Sequence, residues 1–436
     1  MIRPTRAWRT ATVLAAAALV LTACGEDATT DDAGGDETPS ASPSDDASAA
    51  AKKGDGTLTI GTLLPQTGDL AFLGPPEIAG VSLAVQDINA AGGVLGKDVK
   101  QIDADSGDGT PDIAGSEVDS LLSAKADTII GAAASGVSIT VIDKITGAGV
   151  VHFSPANTAL GFDDPKTDPE NLYFRTAPSD YLQGEILANL VVEDGFDNVA
   201  IMGRQDFYGE GLSERTRDVL EEKGATVAEF VLYAADAQNY TAEINKVAAS
   251  KPDALVLVSF DEATKIIPAL IAKGIGPQDI QIYFTDGNLA DYSAENFDLT
   301  GVKGTVPVAA EPDPTFEERL LGVDPKLDSF SYGPQSYDAT IITALAAIQA
   351  DDDAGESIGA EIVNVTKDGT ACATFEECAG MLESGEDIDY EGAAGPNDMT
   401  DSGSLIAGTY GIQEYEKKGN VYTQIDSVSG VVPPTQ

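Results

Sequence analysis

The residues best placed for chemistry in this sequence are suited to binding rather than to bond cleavage. Gly131-Ala132-Ala133-Ala134-Ser135-Gly136 is a run of small residues that leads into a helical pattern. The first N–H groups of a helix have no intrahelical acceptor, so such a loop suits an anion. Ser135 would add a hydroxyl donor, although the same serine also reads as an ordinary helix cap or turn residue. Asp286, within Phe284-Thr285-Asp286-Gly287, reads locally as a turn aspartate, although any carboxylate held in a closed cleft can form a charge-assisted bond with a cation. A charge-assisted bond of that kind is worth about 1.5–3 kcal/mol. Catalytic constellations have little support. His152 is the only histidine, which excludes a multi-histidine zinc site and leaves one ring for any Ser-His-Asp arrangement. It stands in Val150-Val151-His152-Phe153, where a packed, hydrogen-bonded imidazole is expected. No Gly-x-x-x-x-Gly-Lys-Ser/Thr run or convincing dinucleotide fingerprint follows the first strand pattern. The expectation is a binding protein, not an enzyme, with no cofactor and no metal.

The elements that must position these residues alternate between strand and helix after Gly56, the mark of parallel sheets covered by helices. Strands are expected over 57–64, 99–102, 128–130 and 150–153, with helices over 78–88 and 111–123 between them. A second series of the same kind follows, with strands over 199–202, 226–232, 255–259 and 280–284 and helices over 181–193, 210–223, 241–249 and 263–272. Beyond Val308 the patterns are mostly helical, notably 337–349 and 375–382. The stretches 408–415 and 421–425, around Lys417-Lys418-Gly419-Asn420, read as a β-hairpin. Open α/β sheets bind ligands at the carboxyl ends of their strands, so the loops after Ile130, Phe153, Met202, Ser259 and Phe284 are expected to line a cleft.

The N-terminus reads as an export signal over residues 1–23: Arg3, Arg6 and Arg9 precede an apolar run from Ala11 to Leu21. That run is too short for a permanent membrane span. It ends in Leu21-Thr22-Ala23-Cys24-Gly25, which resembles the lipobox of bacterial lipoproteins, with Cys24 as the lipid acceptor; the other reading is a cleavable signal with an incidental cysteine. Residues 24–56 carry almost no large apolar side chains and several acidic pairs, the composition of an extended, disordered tether. A net charge of −47 excludes nucleic acid and direct adsorption to anionic lipid as natural partners. Cys372 and Cys378 remain, and in an exported chain a short local disulfide between them is favoured over free thiols.

Several segments together resemble the branched-chain amino-acid-binding family of transport receptors, the type I periplasmic-binding fold. They are Ile60 to Gly68, Ala84 to Gly96, Phe153 to Thr158, Phe174 to Asp180 and Asp206 to Gly211, in the family's order. The resemblance covers nearly the whole chain from Leu58 onward. It implies two doubly wound parallel-sheet lobes joined by a three-segment hinge, with crossovers near 176–179, 306–311 and 397–402. The lobes would then be 57–177 plus 308–400 and 178–307 plus 401–426, followed by a tail over 427–436.

By the same resemblance, Ser135 would bind a ligand carboxylate. The Ala156 carbonyl and the Thr158 hydroxyl would hold the head group, Tyr208 would cover it, and Asp286 would pair with its ammonium. Leu73 and Phe260 stand near positions where the family often presents an aromatic or a tyrosine, so the pocket wall is expected to be apolar but altered. Phe72 and Phe207 are further pocket aromatics, with core or loop packing as the alternative for each. The implied protein is an exported lipoprotein on the outer face of the cytoplasmic membrane. It would capture a small polar ligand, an amino acid first, and deliver it to an ABC importer. The alternatives are a ligand-sensing receptor of the same fold and a binder of urea, amides or aromatic acids.

Overall fold

The structure is a computed structural model, and it describes residues 53–109, 112–311, 313–416 and 419–433. The export signal, Cys24 and nearly all of the expected tether lie outside the described residues. The end of that tether behaves as part of the folded body: the Gly54 and Gly56 amides donate to Asp352 and Asp353 at 3.0 and 2.9 Å. Main-chain donors meeting two side-chain acceptors explain why Gly54 to Gly56 depart from the expected disorder.

The first series runs β1 (Thr59–Leu64), α1 (Gly74–Ala90), β2 (Lys100–Asp105), α2 (Ala114–Ser123), β3 (Thr128–Gly131), α3 (Ser135–Thr146), β4 (Val151–Ser154) and β5 (Tyr173–Arg175). Its strands form one parallel sheet in the order β2-β1-β3-β4-β5. β1, β3 and β4 are buried at every position, as their nearly continuous apolar sequences require of strands covered on both faces. β5 was not legible in the sequence, because three residues are too few to show a period.

The second series runs α4 (Asp180–Glu193), β6 (Asn198–Arg204), α5 (Gly209–Glu222), β7 (Thr226–Tyr233), α6 (Thr241–Ser250), β8 (Ala254–Val258), α7 (Ala263–Lys273), β9 (Gln281–Phe284) and β10 (Lys303–Pro307). These strands lie in the order β7-β6-β8-β9-β10, the same winding as the first sheet. Both are therefore doubly wound, with the chain reversing direction beside β1 and β6. β10 was also missed by sequence, since a glycine and a terminal proline dilute its strand signal.

The chain then returns to the first sheet. α8 (Pro314–Val323) and α9 (Gly333–Ala350) pack on α1, and α10 (Gly355–Ile362) packs on α9. β11 (Thr370–Cys372), α11 (Phe375–Glu383) and β12 (Ile388–Tyr390) complete this part. Cys372 and Cys378 are joined by a disulfide with their Cα atoms 5.5 Å apart. Finally β13 (Ala407–Tyr415) pairs antiparallel with β10, and β14 (Tyr422–Val431) antiparallel with β13, extending the second sheet. Residues 427–431, expected in the tail, are the second half of β14, where they pair with residues 407–411 of β13.

Candidate functional site

The five head-group residues of the sequence reading come from four different loops, Ala156 and Thr158 sharing the one after β4, and the fold brings them to one cavity. Ser135, Ala156 and Thr158 face it from the first sheet's side, and Tyr208 and Asp286 from the second, with Leu73, Phe260 and Tyr332 closing the wall. The enclosed space is about 20 Å³, close to what one water needs.

On the first side, local sequence explains the positions. Gly131 adopts φ +125°, and a Cβ there would lie 2.0 Å from the Leu63 carbonyl oxygen, so only glycine lets the chain leave β3 against β1. Three alanines then carry it into α3, whose first residue is Ser135. Ala134 precedes it in extended conformation, and no side chain caps this helix; the Val137 and Ser138 amides turn back to the Ala134 carbonyl, which leaves those of Ser135 and Gly136 for an anion. Asn157 ties the neighbouring loop to this one by donating to the Ala132 and Ala133 carbonyls at 3.0 and 2.8 Å. Arg175, fully buried, donates to the carbonyls of Asn157 and Ala159 at 3.3 and 3.0 Å and so grips the chain on both sides of Thr158. Its guanidinium also pairs with Asp163 at 2.6 Å, and Ser179 and Ser404 donate to the same carboxylate. One buried ion pair therefore joins the head-group loop to the first and third passages between the sheets.

On the second side, Asp286 accepts three hydrogen bonds: Tyr208 Oη at 2.6 Å, Gln183 Nε2 at 2.9 Å and Tyr332 Oη at 2.8 Å. Burial pushes its carboxyl above the usual range, and these three donors partly oppose that. Asp180, at the start of α4, is fully buried, and neither of its carboxyl oxygens has a hydrogen-bond partner. Its carboxyl is pushed well above the ordinary value, first by burial and then by the charge of Asp286. The Thr158 hydroxyl and the charge of Arg175 oppose that rise without cancelling it. Gln183 stands one helical turn after Asp180, on the same face of α4.

The apolar wall is braced from behind. The Arg204 guanidinium lies 3.3 Å from the centre of the Phe260 ring, which stacks in turn on Tyr208 at 5.7 Å. Arg204 is itself held by Asp206 and Glu262 at 2.6 and 2.9 Å. Gly287 admits this arrangement, because a Cβ there would come within 2.8 Å of the Phe260 ring.

Of the four residues expected in the wall, Leu73 and Phe260 line the cavity and Phe72 and Phe207 do not. Phe207 packs edge-on against Phe162 at 5.1 Å, in a contact between the loop after β6 and the loop after β4. Phe72 lines a separate groove of about 530 Å³, reached on the other side of Tyr332. Both sit one residue away from a residue that does face the cavity, and in a loop there is no period to say which of two neighbours turns inward.

Sequence reasoning missed Asp180, Gln183 and Tyr332. Asp180 was visible within Arg175-Thr176-Ala177-Pro178-Ser179-Asp180, but an acidic residue in a first helical turn is ordinary. Tyr332 follows a polar loop in which nothing distinguishes it. Among the described residues no cluster of histidine, cysteine or carboxylate side chains could hold a metal ion.

The comparisons with known proteins agree with this architecture. A family model described as periplasmic binding protein matches residues 57–420, and the chain belongs to that family. A substrate-binding protein of a chemotactic signal-transduction system from Halobacterium salinarum is 24% identical over 373 residues, spanning 83% of this chain and 88% of that protein. A Leu/Ile/Val-binding protein homolog from Brucella melitensis is 29% identical over 191 residues, 44% of this chain and 51% of that protein. Among solved structures, the branched-chain amino acid transporter substrate-binding protein LivJ from Streptococcus pneumoniae, in complex with isoleucine, superposes with a TM-score of 0.70 at 21% identity. It covers 86% of this chain and 100% of that one. A solute-binding protein of an ABC transporter from R. palustris, in complex with 4-hydroxybenzoate, gives 0.68 at 15% identity, over 86% and 98%. The two-lobed fold is therefore that of the type I periplasmic binding proteins, whose members are extracytoplasmic solute binders. No helix among the described residues is long and apolar enough to cross a membrane.

Proposed function

We propose that this protein is a solute-binding lipoprotein that closes its two lobes on a zwitterionic α-amino acid and hands it to an ABC importer. The observation that carries the reading is the pairing of opposite needs across one cavity. An uncapped helix N-terminus with Ser135 and Thr158 offers donors to a carboxylate. Opposite them stands the buried carboxyl of Asp286, and near it lies a second buried carboxyl, Asp180, raised by burial and by the Asp286 charge. A ligand ammonium would meet Asp286, with the nearby Asp180 adding to the field that favours it, and the ligand carboxylate would meet the helix. The names of the Leu/Ile/Val-binding relatives support the same class of ligand. A binder also accounts better than an enzyme for a single, fully buried histidine. Cys24 is the proposed lipid anchor, holding the protein on the outer face of the cytoplasmic membrane; lipid labelling that persists in Cys24→Ser would remove that part.

The test is a thermal-shift screen of the protein against amino acids, amides, urea and small organic acids, since a ligand of the native state alone raises its melting temperature. A shift with α-amino acids, and a loss in Asp286→Ala larger than in Phe72→Ala, is the expected result. Shifts only with non-amino ligands would discard the ammonium site and favour amides or aromatic acids. A second reading, a sensor whose closed form is read by a signalling partner, is favoured by the chemotactic relative. Deleting the gene distinguishes them: lost uptake of the ligand supports delivery, whereas normal uptake with lost chemotaxis supports sensing.

A further inference from the structure

Two spaces of very different size meet at one side chain. The head-group cavity of about 20 Å³ and the groove of about 530 Å³ have Tyr332 in common. Tyr332 directly precedes α9 and adopts φ +59°, ψ 3°, a left-handed conformation in which a bulky side chain is uncommon. The ring is buried, and its hydroxyl donates to Asp286 Oδ2 at 2.8 Å. The backbone at the start of α9 thus sets this one ring between the two spaces, and the acid that would receive a ligand ammonium fixes its far end.

Beyond the ring the chemistry changes. Phe72, Tyr292 and Phe330 give the groove apolar surface, and Asp261, Asp291 and Asp328 give it acid. No lysine or arginine stands among the described residues that line it. Gln335, also in its lining, is 3% exposed, and its buried Oε1 has no hydrogen-bond donor. The groove therefore suits an aliphatic chain ending in an N–H donor or a cation, as lysine and arginine side chains do.

We propose that Tyr332 is the specificity-determining residue of the site: its ring is the partition that ends the ligand at the head-group cavity, and removing it admits a longer, cationic side chain to the acidic groove. For the ligand head this rests on the amino-acid reading above. The partition itself is a statement about length and applies to any ligand class.

Calorimetry on the full chain in detergent tests it with paired short and long ligands in each class: alanine against lysine and arginine, acetamide against hexanamide, acetate against hexanoate. In Tyr332→Gly, a substitution the left-handed backbone accepts, the long-to-short affinity ratio is expected to rise at least tenfold, most for lysine and arginine. Tyr332→Phe keeps the ring and is expected to keep the wild-type ratio. An unchanged ratio in Tyr332→Gly, or the same change in Tyr332→Phe, overturns the proposal. Should the glycine variant fold poorly, Tyr332→Asn gives a second small residue tolerant of this conformation. If only amides or organic acids bind, the amino-acid reading falls while Tyr332 is still judged by their ratio.

Discussion

Asp180 and Asp338 are both fully buried aspartates on helices, and their surroundings could hardly differ more. Asp338, on α9, accepts from Tyr390 Oη at 3.0 Å, from the Ala393 and Ala394 amides at 2.7 and 2.8 Å, and from Asn397 Nδ2 at 3.5 Å. These bonds fasten the loop after β12, from which the chain makes its last passage between the sheets. Asp180 accepts none. A buried carboxylate costs free energy unless donors surround it. Filled acceptors identify Asp338 as a residue that holds the fold, whereas Asp180 has spare acceptor capacity next to Asp286, which does line the cavity. The two pKa shifts express the same contrast. Asp338 is raised by burial only to about 6, because its donors favour the charged form. Asp180 is raised well above the ordinary range, with the charge of Asp286 adding to burial.

The sharpest way to break this comparison is to remove each acid and measure stability and binding together. Asp338→Ala leaves a tyrosine hydroxyl and two amides without their acceptor, and the expected cost is about 3 kcal/mol in urea denaturation. Ligand affinity of the folded protein is expected to stay within about threefold, since removing a residue that touches no ligand leaves its contacts in place. Asp180→Asn is expected to do the reverse. Stability is kept or raised, because an unpartnered buried acid is gone, while amino-acid affinity falls about 10- to 100-fold with the loss of a charge-assisted bond. If Asp180→Asn destabilises as much as Asp338→Ala and binds normally, the distinction is wrong.

Titration sharpens the same contrast with a somewhat smaller effect. The folded-state pKa values of Asp180 and Asp286 are raised, so the ligand-free fold binds their protons more tightly than the unfolded chain does. Their contribution to unfolding free energy is therefore highest at low pH and falls as pH rises through the folded pKa values. Ligand binding runs the other way, because an ammonium needs the carboxylate. Affinity is expected to increase with pH over the same interval, by up to about tenfold per pH unit while one proton is being displaced. In Asp180→Asn that slope should flatten. A slope that persists unchanged in the variant would assign the proton to another group.

Much of the fold was legible in the sequence, because long apolar strands and helices carry their period openly. Thr57 to Leu64 and Leu255 to Ser259 read as buried strands and are β1 and β8. What was not legible has a physical cause in each case. β5 and β10 are short, and they are held by neighbours far away in sequence rather than by their own pattern. The site was half legible. Ser135, Ala156, Thr158, Tyr208 and Asp286 follow strand ends, where the winding of the sheets places them around one cavity. Asp180 and Tyr332 start helices instead, and their importance depends on what stands opposite them after the chain has crossed between sheets. Burial without a partner is a property of the folded molecule, so no local spacing announces it.

Phe207 and Phe260 repeat the lesson on a smaller scale. Each follows a strand of the second sheet, and each reads from sequence as a pocket aromatic. Phe260 lies on the cavity wall between Arg204 and Tyr208. Phe207 touches Phe162 across the line where the two sheets' loops meet, and touches no part of the cavity. A contact between the two sheets' loops that lies outside the cavity can change the population of a closed state but not what that state prefers. Phe207→Leu should therefore weaken every ligand by the same factor, about two- to threefold for the loss of a single ring contact. Phe260→Leu should change the ratio between ligands of different shape. Calorimetry on three or more ligands reads both, and a changed ratio in Phe207→Leu would return that ring to the pocket wall.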